Sequence, residues 1–503
     1  MIASVPSATL LGVTGQPVTV EVHSGVGVPG FQIVGSPDAA CRESRDRVRA
    51  ALLSSGLAWP NRRITVNLAP SGIRKAGAGL DLAIAIALLV ADEQLAPDAV
   101  EKYAFVGELG LDGTLRGMPG VAPMVACRSR YVAVVPSEAY EQAIAIGAVD
   151  VRCAATLLEV VSALAGAPWP DPPHPMSADA AQPLPDLADV RGQPDARLAL
   201  ELAAAGGHHL LLVGPPGAGK TMLAQRLPGL LPALDPVASL EATMIHSAAG
   251  VLVPGGGVVR QPMFRAPHHS SSMVAIIGGG STALRPGEVS LAHGGVLFMD
   301  ELGEFPAHVL DALRQPLEEG VVRVSRASST ATLPARFQMV AASNPCPCGG
   351  GAPGECECDL TARLKYLRRI SGPFLDRFDL RVSVGAATVD DLLGRRLGES
   401  TAVVRERVLS ARDLALARAG KLNAALTADE LETYAPFDHA AESLVRREFE
   451  ANRLTGRGLH RVRRVARTIG DLSGAPEVIG VDLLTVALQL RVPFASSARV
   501  RVA

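Results

Sequence analysis

The sequence is short of cysteine, of net charge and of long apolar runs. Its 503 residues include seven cysteines, too few and too unevenly spaced for the disulfide framework of a secreted protein. The formal net charge is −2, so any nucleic-acid site must be a local basic patch. The longest apolar run, Leu82 to Ala91, is too short to span a bilayer, and no basic segment opens the chain. These absences predict a soluble cytoplasmic protein.

Apolar residues are plentiful enough for several cores. They make up 48% of the chain, which argues against wholesale disorder, and the length allows about three domains of roughly 150 residues each. Apolar periodicity predicts strands at 16–23, 62–68 and 131–136 and helices at 46–53 and 81–90. We therefore predict a first domain over residues 1–166 and a proline-rich linker over 167–187.

A glycine-rich turn follows the apolar run 210–213 and precedes residues 222–227, which have helical spacing. It fits the pattern G-x-x-x-x-G-K-[ST], with the residues Gly214, Pro215, Pro216, Gly217, Ala218, Gly219, Lys220 and Thr221. Glycines let backbone N–H groups surround phosphate oxygens because no Cβ blocks the approach. Lys220 can reach the β- and γ-phosphates, and the Thr221 hydroxyl can bind Mg²⁺. The turn predicts a nucleoside triphosphate site.

Two further apolar runs end in polar residues suited to the same site. Residues 296–299 lead into Asp300 and Glu301, of which the first would hold Mg²⁺ and the second would polarise the attacking water. A buried strand with acidic residues at its end is a common pattern, but the preceding P-loop favours the catalytic interpretation. Residues 337–343 lead into Asn344, which alone would be a turn former. In an ATPase sheet this strand would lie beside the P-loop strand.

Several other groups allow two interpretations each. Arg377 alone predicts a surface ion pair with Asp376 or Asp379, and the arginines at 457, 461 and 464 predict the solvated face of an amphipathic helix. His268 and His269 are adjacent and point apart, which favours a loop role over metal binding. A loop carries Cys346, Cys348, Cys356 and Cys358, which would be either four unpaired thiols or the ligands of a structural Zn²⁺.

Lys220 and Asp300 are 80 positions apart, which leaves room for an inserted loop or hairpin around 255–280, bearing Arg260 and Arg265. A second hairpin is predicted over 320–336, with Arg323 and Arg326 near its tip. These arginines would either contact DNA phosphates without reading sequence or pair with acidic neighbours such as Glu318 and Glu319.

The first domain resembles the fold of ribosomal protein S5 domain two, as used in the proteolytic domain of Lon. The resemblance lies in residues 70–83 and 107–113, and it implies an α+β domain. A Ser–Lys peptidase is disfavoured, because Gly77-Ala78-Gly79 stands where Lon has its serine and residues 116–122 contain no lysine. Ser71 and Lys75 are nearby but out of register with that dyad. We expect a non-proteolytic domain.

The second half resembles the ComM/YifB family of magnesium-chelatase-like AAA+ ATPases. The motifs are F-R-A-P-H-H-S at 264–270, R-P-G-E-V-S-L-A-H at 285–293, N-P-C-P-C-G at 344–349 and I-S-G-P-F-L-D-R-F-D-L at 370–380. The resemblance implies an α/β AAA+ core over 188–385 and a helical lid over 386–503. It also implies a hexameric ring that binds ATP and Mg²⁺ and moves on DNA as a helicase or branch-migration factor in recombination or natural transformation.

The same resemblance assigns residue roles. Asn344 would orient the water near the γ-phosphate, Arg377 would reach the nucleotide of the neighbouring subunit, and Arg457 would bring the lid onto ATP. Two alternatives remain besides the peptidase. One is a chelatase-type motor that remodels a partner protein, which the N-terminal domain disfavours; the other is a scaffold that binds the nucleotide without hydrolysing it.

Overall fold

The computed structural model describes residues 1–147, 149–173, 184–251, 257–280, 284–326, 329–350, 356–385, 398–474 and 476–492. The predicted linker is therefore described at 167–173 and 184–187, and most of the predicted insert around 255–280 is included. The side chain of Arg326 and the predicted tail after residue 492 lie outside the described part. Within it, no helix is both long and apolar enough to cross a membrane.

Residues up to 164 form three small sheets around one buried helix. The strands are β1 (Ile2–Leu11), β2 (Thr14–Gly25), β3 (Gly30–Val34), β4 (Arg63–Ala69), β5 (Tyr103–Phe105), β6 (Glu108–Leu109), β7 (Leu115–Arg116), β8 (Val132–Pro136) and β9 (Val151–Ala154). The helices are α1 (Ala39–Arg42), α2 (Ser44–Ser54), α3 (Asp81–Ala91), α4 (Val121–Ala126), α5 (Tyr140–Ile144) and α6 (Leu157–Leu164). The sheet orders are β1-β2-β4-β3, β5-β8-β9 and β6-β7. The strands and helices predicted for this part are confirmed.

Helix α3 is the centre of this first unit. Its sequence is apolar on every side after Asp81, and every one of its residues is buried. The Asp81 carboxylate is buried as well and accepts a 2.6 Å hydrogen bond from Arg47 Nε, which compensates its charge.

The second unit is built on a parallel five-stranded sheet in the order β11-β14-β17-β10-β18. Its strands are β10 (Leu210–Val213), β11 (Phe264–Arg265), β14 (Val296–Met299), β17 (Gln338–Ser343) and β18 (Leu380–Ser383). Two hairpins project from it, formed by β12 (Gly278–Gly279) with β13 (Arg285–Pro286) and β15 (Val321–Arg326) with β16 (Ser329–Pro334). The parallel sheet confirms the α/β class, and the predicted hairpin over 320–336 is confirmed.

Ten helices of the described part surround this sheet: α7 (Pro194–Gly206), α8 (Lys220–Ala224), α9 (Leu227–Leu230), α10 (Pro236–Ala249), α11 (Met273–Ile277), α12 (Glu288–Leu291), α13 (Ala307–Ala312), α14 (Arg314–Glu319), α15 (Leu360–Arg369) and α16 (Gly372–Leu375). The helix predicted after the P-loop is shorter than its apolar spacing indicates. It ends at Ala224, because Pro228 has no N–H for the Ala224 carbonyl and lies instead in the first turn of the next helix, which begins at Leu227.

The segment predicted to be a lid forms α17 (Thr401–Ala419), α18 (Ala428–Tyr434), α19 (His439–Glu450), α20 (Gly456–Leu472) and α21 (Val481–Gln489). Its apolar faces share one core with α7 and the P-loop strand β10. The prediction that the arginines of α20 form a solvated face is wrong for most of them. Arg461 donates to Asp379 at 2.6 Å, and Arg464 donates to the Leu426 carbonyl at 2.5 Å. Both acceptors are distant in sequence, and the fold packs them against α20.

The two units are joined by polar and apolar contacts. Helix α4 packs on α10, where the Gly120 N–H donates to the Ser247 carbonyl at 2.7 Å and the Ala122 N–H donates to Ser247 Oγ at 3.2 Å. Val13, in the turn between β1 and β2, belongs to the same apolar cluster as Leu333 of β16. A Cβ on the neighbouring Gly12 would lie 3.2 Å from Ala331 Cβ and 3.3 Å from Leu333 Cδ2, so the first unit contacts the β15–β16 hairpin directly.

Candidate nucleotide-binding site

The P-loop connects β10 to α8 as predicted. Gly217 and Gly219 have φ of +76° and +84°, and a Cβ on Gly217 would meet nothing within 4 Å. The turn is therefore open at Gly217, which leaves room for a phosphate, and glycine gives its backbone the left-handed conformation. The buried Lys220 Nζ donates to the carbonyls of Gly214 and Pro215 at 2.7 and 2.8 Å. Burial lowers the Lys220 pKa, and the charges of Asp300 and Glu301 oppose this shift.

The strand order brings the predicted residues together at the carboxyl ends of the parallel strands. β17 lies parallel to β10 and β14, so the predicted neighbourhood of this strand and the P-loop strand is confirmed. Asn344 Oδ1 accepts from Lys220 Nζ at 3.0 Å. The Thr221 hydroxyl donates to Asp300 Oδ2 at 2.8 Å, which places two hard oxygen ligands together, as Mg²⁺ requires. This donor set and the open glycine turn fit a magnesium-bound nucleotide.

Glu301 has a partner that sequence reasoning missed. His269 Nδ1 lies 3.0 Å from Glu301 Oε2, and the His269 ring contacts those of His268 and Phe305 at centroid distances of 4.1 and 6.4 Å. Glu301 itself has a left-handed backbone with φ of +51°. The position of the two histidines after a strand could have indicated this pairing. The histidines follow β11, and β11 is the parallel neighbour of β14, whose carboxyl end carries Glu301.

Arg377 lies near the amino ends of the parallel strands, opposite the P-loop. It precedes β18, whose register pairs Leu380 with Leu210 at the start of β10, whereas the P-loop follows the other end of that strand. Its guanidinium is nearly buried and pairs with Glu318 rather than with Asp376 or Asp379, the partners expected from sequence. The pKa of Arg377 is lowered by burial and then by the neighbouring charges of Arg461, Arg314 and Arg457.

Arg457 is on the same side of the molecule as Arg377. It is exposed in the first turn of α20, and Arg461, one turn later, donates to the Arg377 carbonyl at 3.1 Å. Asp379 anchors this region because it is buried and also accepts from His208 at 3.2 Å. These ion pairs and hydrogen bonds depress the Asp379 pKa, although burial opposes the shift.

The four cysteines of the loop after Asn344 lie together. Sγ separations are 3.3 Å for Cys346–Cys348, 3.7 Å for Cys348–Cys356 and 3.4 Å for Cys356–Cys346. With Cys358 included, all four sulfur atoms lie within 4.8 Å of one another. A disulfide needs about 2.05 Å, whereas tetrahedral Zn²⁺ with bonds of about 2.3 Å separates its sulfur ligands by about 3.8 Å. The spacing fits one tetrahedral ion and defines what we call the cysteine knuckle, residues 346–350 and 356–358 with their four cysteines.

The arginines considered for DNA contact have different surroundings. Arg323 is half-exposed on β15 and pairs with Glu319 at 2.9 Å. Arg265 is engaged more firmly, because both its Nε and its Nη2 donate to Glu288 at 2.7 Å. Arg260 is exposed. Arg323 and Arg260 are therefore better placed than Arg265 to meet a phosphate.

The residues considered for a peptidase do not form a dyad. Lys75 is buried and its ammonium donates to the Pro70 carbonyl. The Ser71 carbonyl accepts from the Ser36 hydroxyl at 2.8 Å. Among the described residues, no hydrogen bond joins the Lys75 ammonium to the Ser71 hydroxyl, so the serine has no adjacent base.

Comparison with known proteins identifies the family. The chain is 43% identical over 92% of its length to YifB of Escherichia coli, of which it covers 92%. It is 42% identical over 95% of its length to the competence protein ComM of Haemophilus influenzae, of which it covers 95%. The chain belongs to the ComM/YifB family.

Models of the magnesium-chelatase domains match successive parts of this ComM/YifB member. The model described as magnesium chelatase, subunit ChlI, matches residues 186–392, and that of the ChlI C-terminal part matches 398–491. A third, described as subunit ChlI of Mg-chelatase, matches residues 20–139. The 38 kDa subunit of the magnesium chelatase of Rhodobacter capsulatus is 30% identical over 33% of the chain, which covers 51% of that protein. The second unit is thus a ChlI-like AAA+ module.

Proposed function

We propose that the protein is an ATP-hydrolysing ring motor that acts on DNA. One observation carries the ATPase part: Lys220, Asn344, Asp300 and Glu301 converge on one sheet edge around an open P-loop. This grouping contains a phosphate cradle, two oxygen ligands for Mg²⁺ and a carboxylate at the site where water would attack.

Each residue of the proposed site has a role that follows from its position. Lys220 would exchange its carbonyl partners for the β- and γ-phosphates. Thr221 and Asp300 would hold Mg²⁺, which neutralises phosphate charge when bound. Glu301 orients and polarises the attacking water, and Asn344 fixes that water against the γ-phosphate. Glu301 is thus the base, and mutation of it separates a motor from a non-hydrolysing scaffold.

The opposite placement of Arg377 supports a ring. A guanidinium at the amino edge of the sheet is poorly placed for its own P-loop, but it can reach a nucleotide held by a neighbouring subunit. Arg457 lies beside it, so we assign both arginines to the subunit boundary rather than giving Arg457 a role above its own nucleotide. A homohexamer is the proposed assembly, acting in the cytoplasm where the thiols of the knuckle stay reduced.

DNA is the proposed substrate, contacted by the β15–β16 hairpin through Arg323 and by Arg326 near its tip. The exposed Arg323–Glu319 pair is worth little in water, so a phosphate can replace the carboxylate. One relative is named a competence protein, which fits branch migration of recombination intermediates in transformation. The alternative is a chelatase-type motor that remodels a protein. The ChlI description also covers residues 20–139, so the first unit does not by itself decide between them.

The test is steady-state ATP hydrolysis without DNA and with single-stranded, duplex and four-way-junction DNA at two salt concentrations. The expected result is stimulation by DNA that is greatest on the junction and weakens with salt, with Glu301→Gln as the inactive control. Hydrolysis that is indifferent to every DNA would contradict the DNA motor and favour protein remodelling.

The cysteine knuckle is proposed to hold Zn²⁺. Its four sulfur donors are soft ligands with the spacing of a tetrahedral site, and a site with four protein ligands is closed to substrate. Zinc there would be structural and would contribute to the order of the loop.

A further inference from the structure

The cysteine knuckle begins at the nucleotide site. Cys346 follows Asn344 with a single proline between them, and proline fixes its own backbone φ. Cys346 is fully buried, whereas Cys348 is exposed. A metal held by Cys346 would therefore restrain the backbone that presents the Asn344 amide to Lys220.

The other end of the knuckle returns to Asn344. Asp359 follows Cys358 directly and caps α15, because its Oδ1 accepts from the Ala362 N–H at 2.6 Å. Tyr366, a buried residue of that helix, donates its hydroxyl to the Asn344 carbonyl at 3.2 Å. Both chain segments that leave the metal ligands thus converge on Asn344.

Helix α15 also contacts the turn after Glu301. A Cβ at Gly303 would lie 2.4 Å from the Tyr366 ring, so only a glycine lets the helix approach so closely. Arg369 donates to the Gly303 carbonyl at 3.0 Å and to Glu304 at 2.8 Å. The helix that starts at the knuckle therefore lies between Asn344 and the turn that carries Glu301.

A direct contact joins the knuckle to the P-loop. Gly349 has φ of +84°, and a Cβ there would lie 2.6 Å from Pro216 Cδ. The Gly349 N–H donates to the Cys346 carbonyl at 3.0 Å, so the same tight turn that brings the sulfur atoms together presents its backbone to the P-loop.

We propose that zinc in the cysteine knuckle is a positioning centre of the ATP site: it holds Asn344 through Pro345 and Tyr366 and supports the P-loop at Pro216. The inference rests on the proposed nucleotide site and adds that zinc and nucleotide are thermodynamically linked. Because coupling between two ligands is reciprocal, a nucleotide held by a P-loop that the knuckle supports tightens zinc binding and so slows its release, and zinc loss weakens nucleotide binding. Zinc loss also frees Asn344, which lowers the rate of the chemical step.

The test uses the full-length protein, with metal content measured by mass spectrometry and zinc release to a chromogenic chelator followed in time. We expect one zinc per chain and release that is at least about fivefold slower with Mg²⁺ and a slowly hydrolysed ATP analogue, the low end of ordinary coupling. Lys220→Ala should abolish the slowing. Tyr366→Phe keeps the ring but removes its bond to Asn344. It should keep the zinc and the slowing, which the contact at Pro216 carries, and lower kcat with little change in KM.

The controls separate this inference from the proposed function. Cys127→Ser alters a thiol in the first unit and should change neither zinc content nor release. Absence of zinc, or iron in its place, would overturn the inference and leave the ATPase proposal intact. A zinc release rate that does not change when a nucleotide is bound, with that binding measured directly, would also overturn the inference and leave the ATPase proposal intact. A wild-type protein that binds no nucleotide would defeat the proposed function and this inference with it.

Discussion

His269 Nδ1 lies 3.0 Å from Glu301 Oε2, so the proposed catalytic carboxylate has an imidazole partner. His269 belongs to the segment between β11 and α11, which continues into the β12–β13 hairpin. The contact engages one of the two carboxylate oxygens that would otherwise be available to the attacking water. The contact therefore restrains Glu301 and connects it to the segment inserted between the P-loop and β14.

Replacing His269 should release this restraint. We expect His269→Ala to raise DNA-independent ATP hydrolysis about three- to tenfold, a factor matching the loss of one net hydrogen bond, and to reduce the ratio by which DNA stimulates it. His268→Ala is the matched control, because the neighbouring ring is engaged by Ser270 Oγ at 2.7 Å and not by a carboxylate. Equal loss of basal and stimulated activity in His269→Ala would instead show that the imidazole helps to orient Glu301.

Asn344 should affect the chemical step more than binding. Its Oδ1 accepts from Lys220 at 3.0 Å, but Lys220 also has the carbonyls of Gly214 and Pro215, so removal of the amide leaves the ammonium satisfied. We expect Asn344→Ala to lower kcat about 100-fold, as for loss of one oriented polar group, with nucleotide affinity nearly unchanged. Nucleotide titration and steady-state kinetics measure the two quantities. A large loss of affinity would assign Asn344 to binding.

Arg377 should act across a subunit boundary. Arg377→Ala is expected to lower kcat about 1,000-fold while retaining nucleotide binding, the effect expected for an arginine supplied in trans. Mixing it with Lys220→Ala should restore part of the activity, because some boundaries in the mixed ring combine an intact P-loop with an intact Arg377. Mixtures that stay as inactive as their components would contradict the assignment in trans.

Arg323 should contribute salt-sensitive affinity for DNA without sequence preference. Neutralising one phosphate contact reduces the slope of log affinity against log salt by about 1, so Arg323→Ala should weaken binding uniformly and flatten this dependence. Arg446, exposed on lid helix α19, supplies the control substitution with the same change of charge. Equal effects of both variants would indicate general electrostatics rather than a contact at the hairpin.

The parts of the site that could be predicted from sequence are local. The P-loop, Asp300 with Glu301, and Asn344 each follow an apolar run of strand length, so one short segment carries both the strand and the polar group. The pairing of His269 with Glu301 could not be predicted in this way. It depends on the neighbourhood of β11 and β14 in a sheet whose order the sequence does not state.

The arginines were the least predictable residues for a related physical reason. On a helix such as α20, arginines at helical spacing predict a solvent-exposed face unless their hydrogen-bond partners are known. Here Asp379, 82 residues away from Arg461, supplies the carboxylate that makes burial tolerable. Similarly, Arg377 pairs with Glu318 from another helix instead of its sequence neighbours.

His209, which precedes the P-loop strand, should make stability depend on pH. Its Nδ1 accepts from the Met339 N–H at 3.0 Å, and burial lowers its pKa to about 4, with Arg461 and His208 acting in the same direction and Asp379 opposing them. The unfolded chain takes up a proton near pH 6.5 and the native chain only near pH 4, so stability falls as the pH is lowered through this window.

Between pH 7 and pH 5 this residue alone should cost about 2 kcal/mol of unfolding free energy. His209→Asn keeps an acceptor for the Met339 N–H but cannot be protonated, so it should lose less thermal stability over that interval than the wild type. Thermal unfolding of both proteins at the two pH values measures the difference. Identical losses would show that His209 is protonated equally in the native and unfolded chains, and that the acid sensitivity arises elsewhere, for example at His246 or His293, whose pKa values burial also lowers.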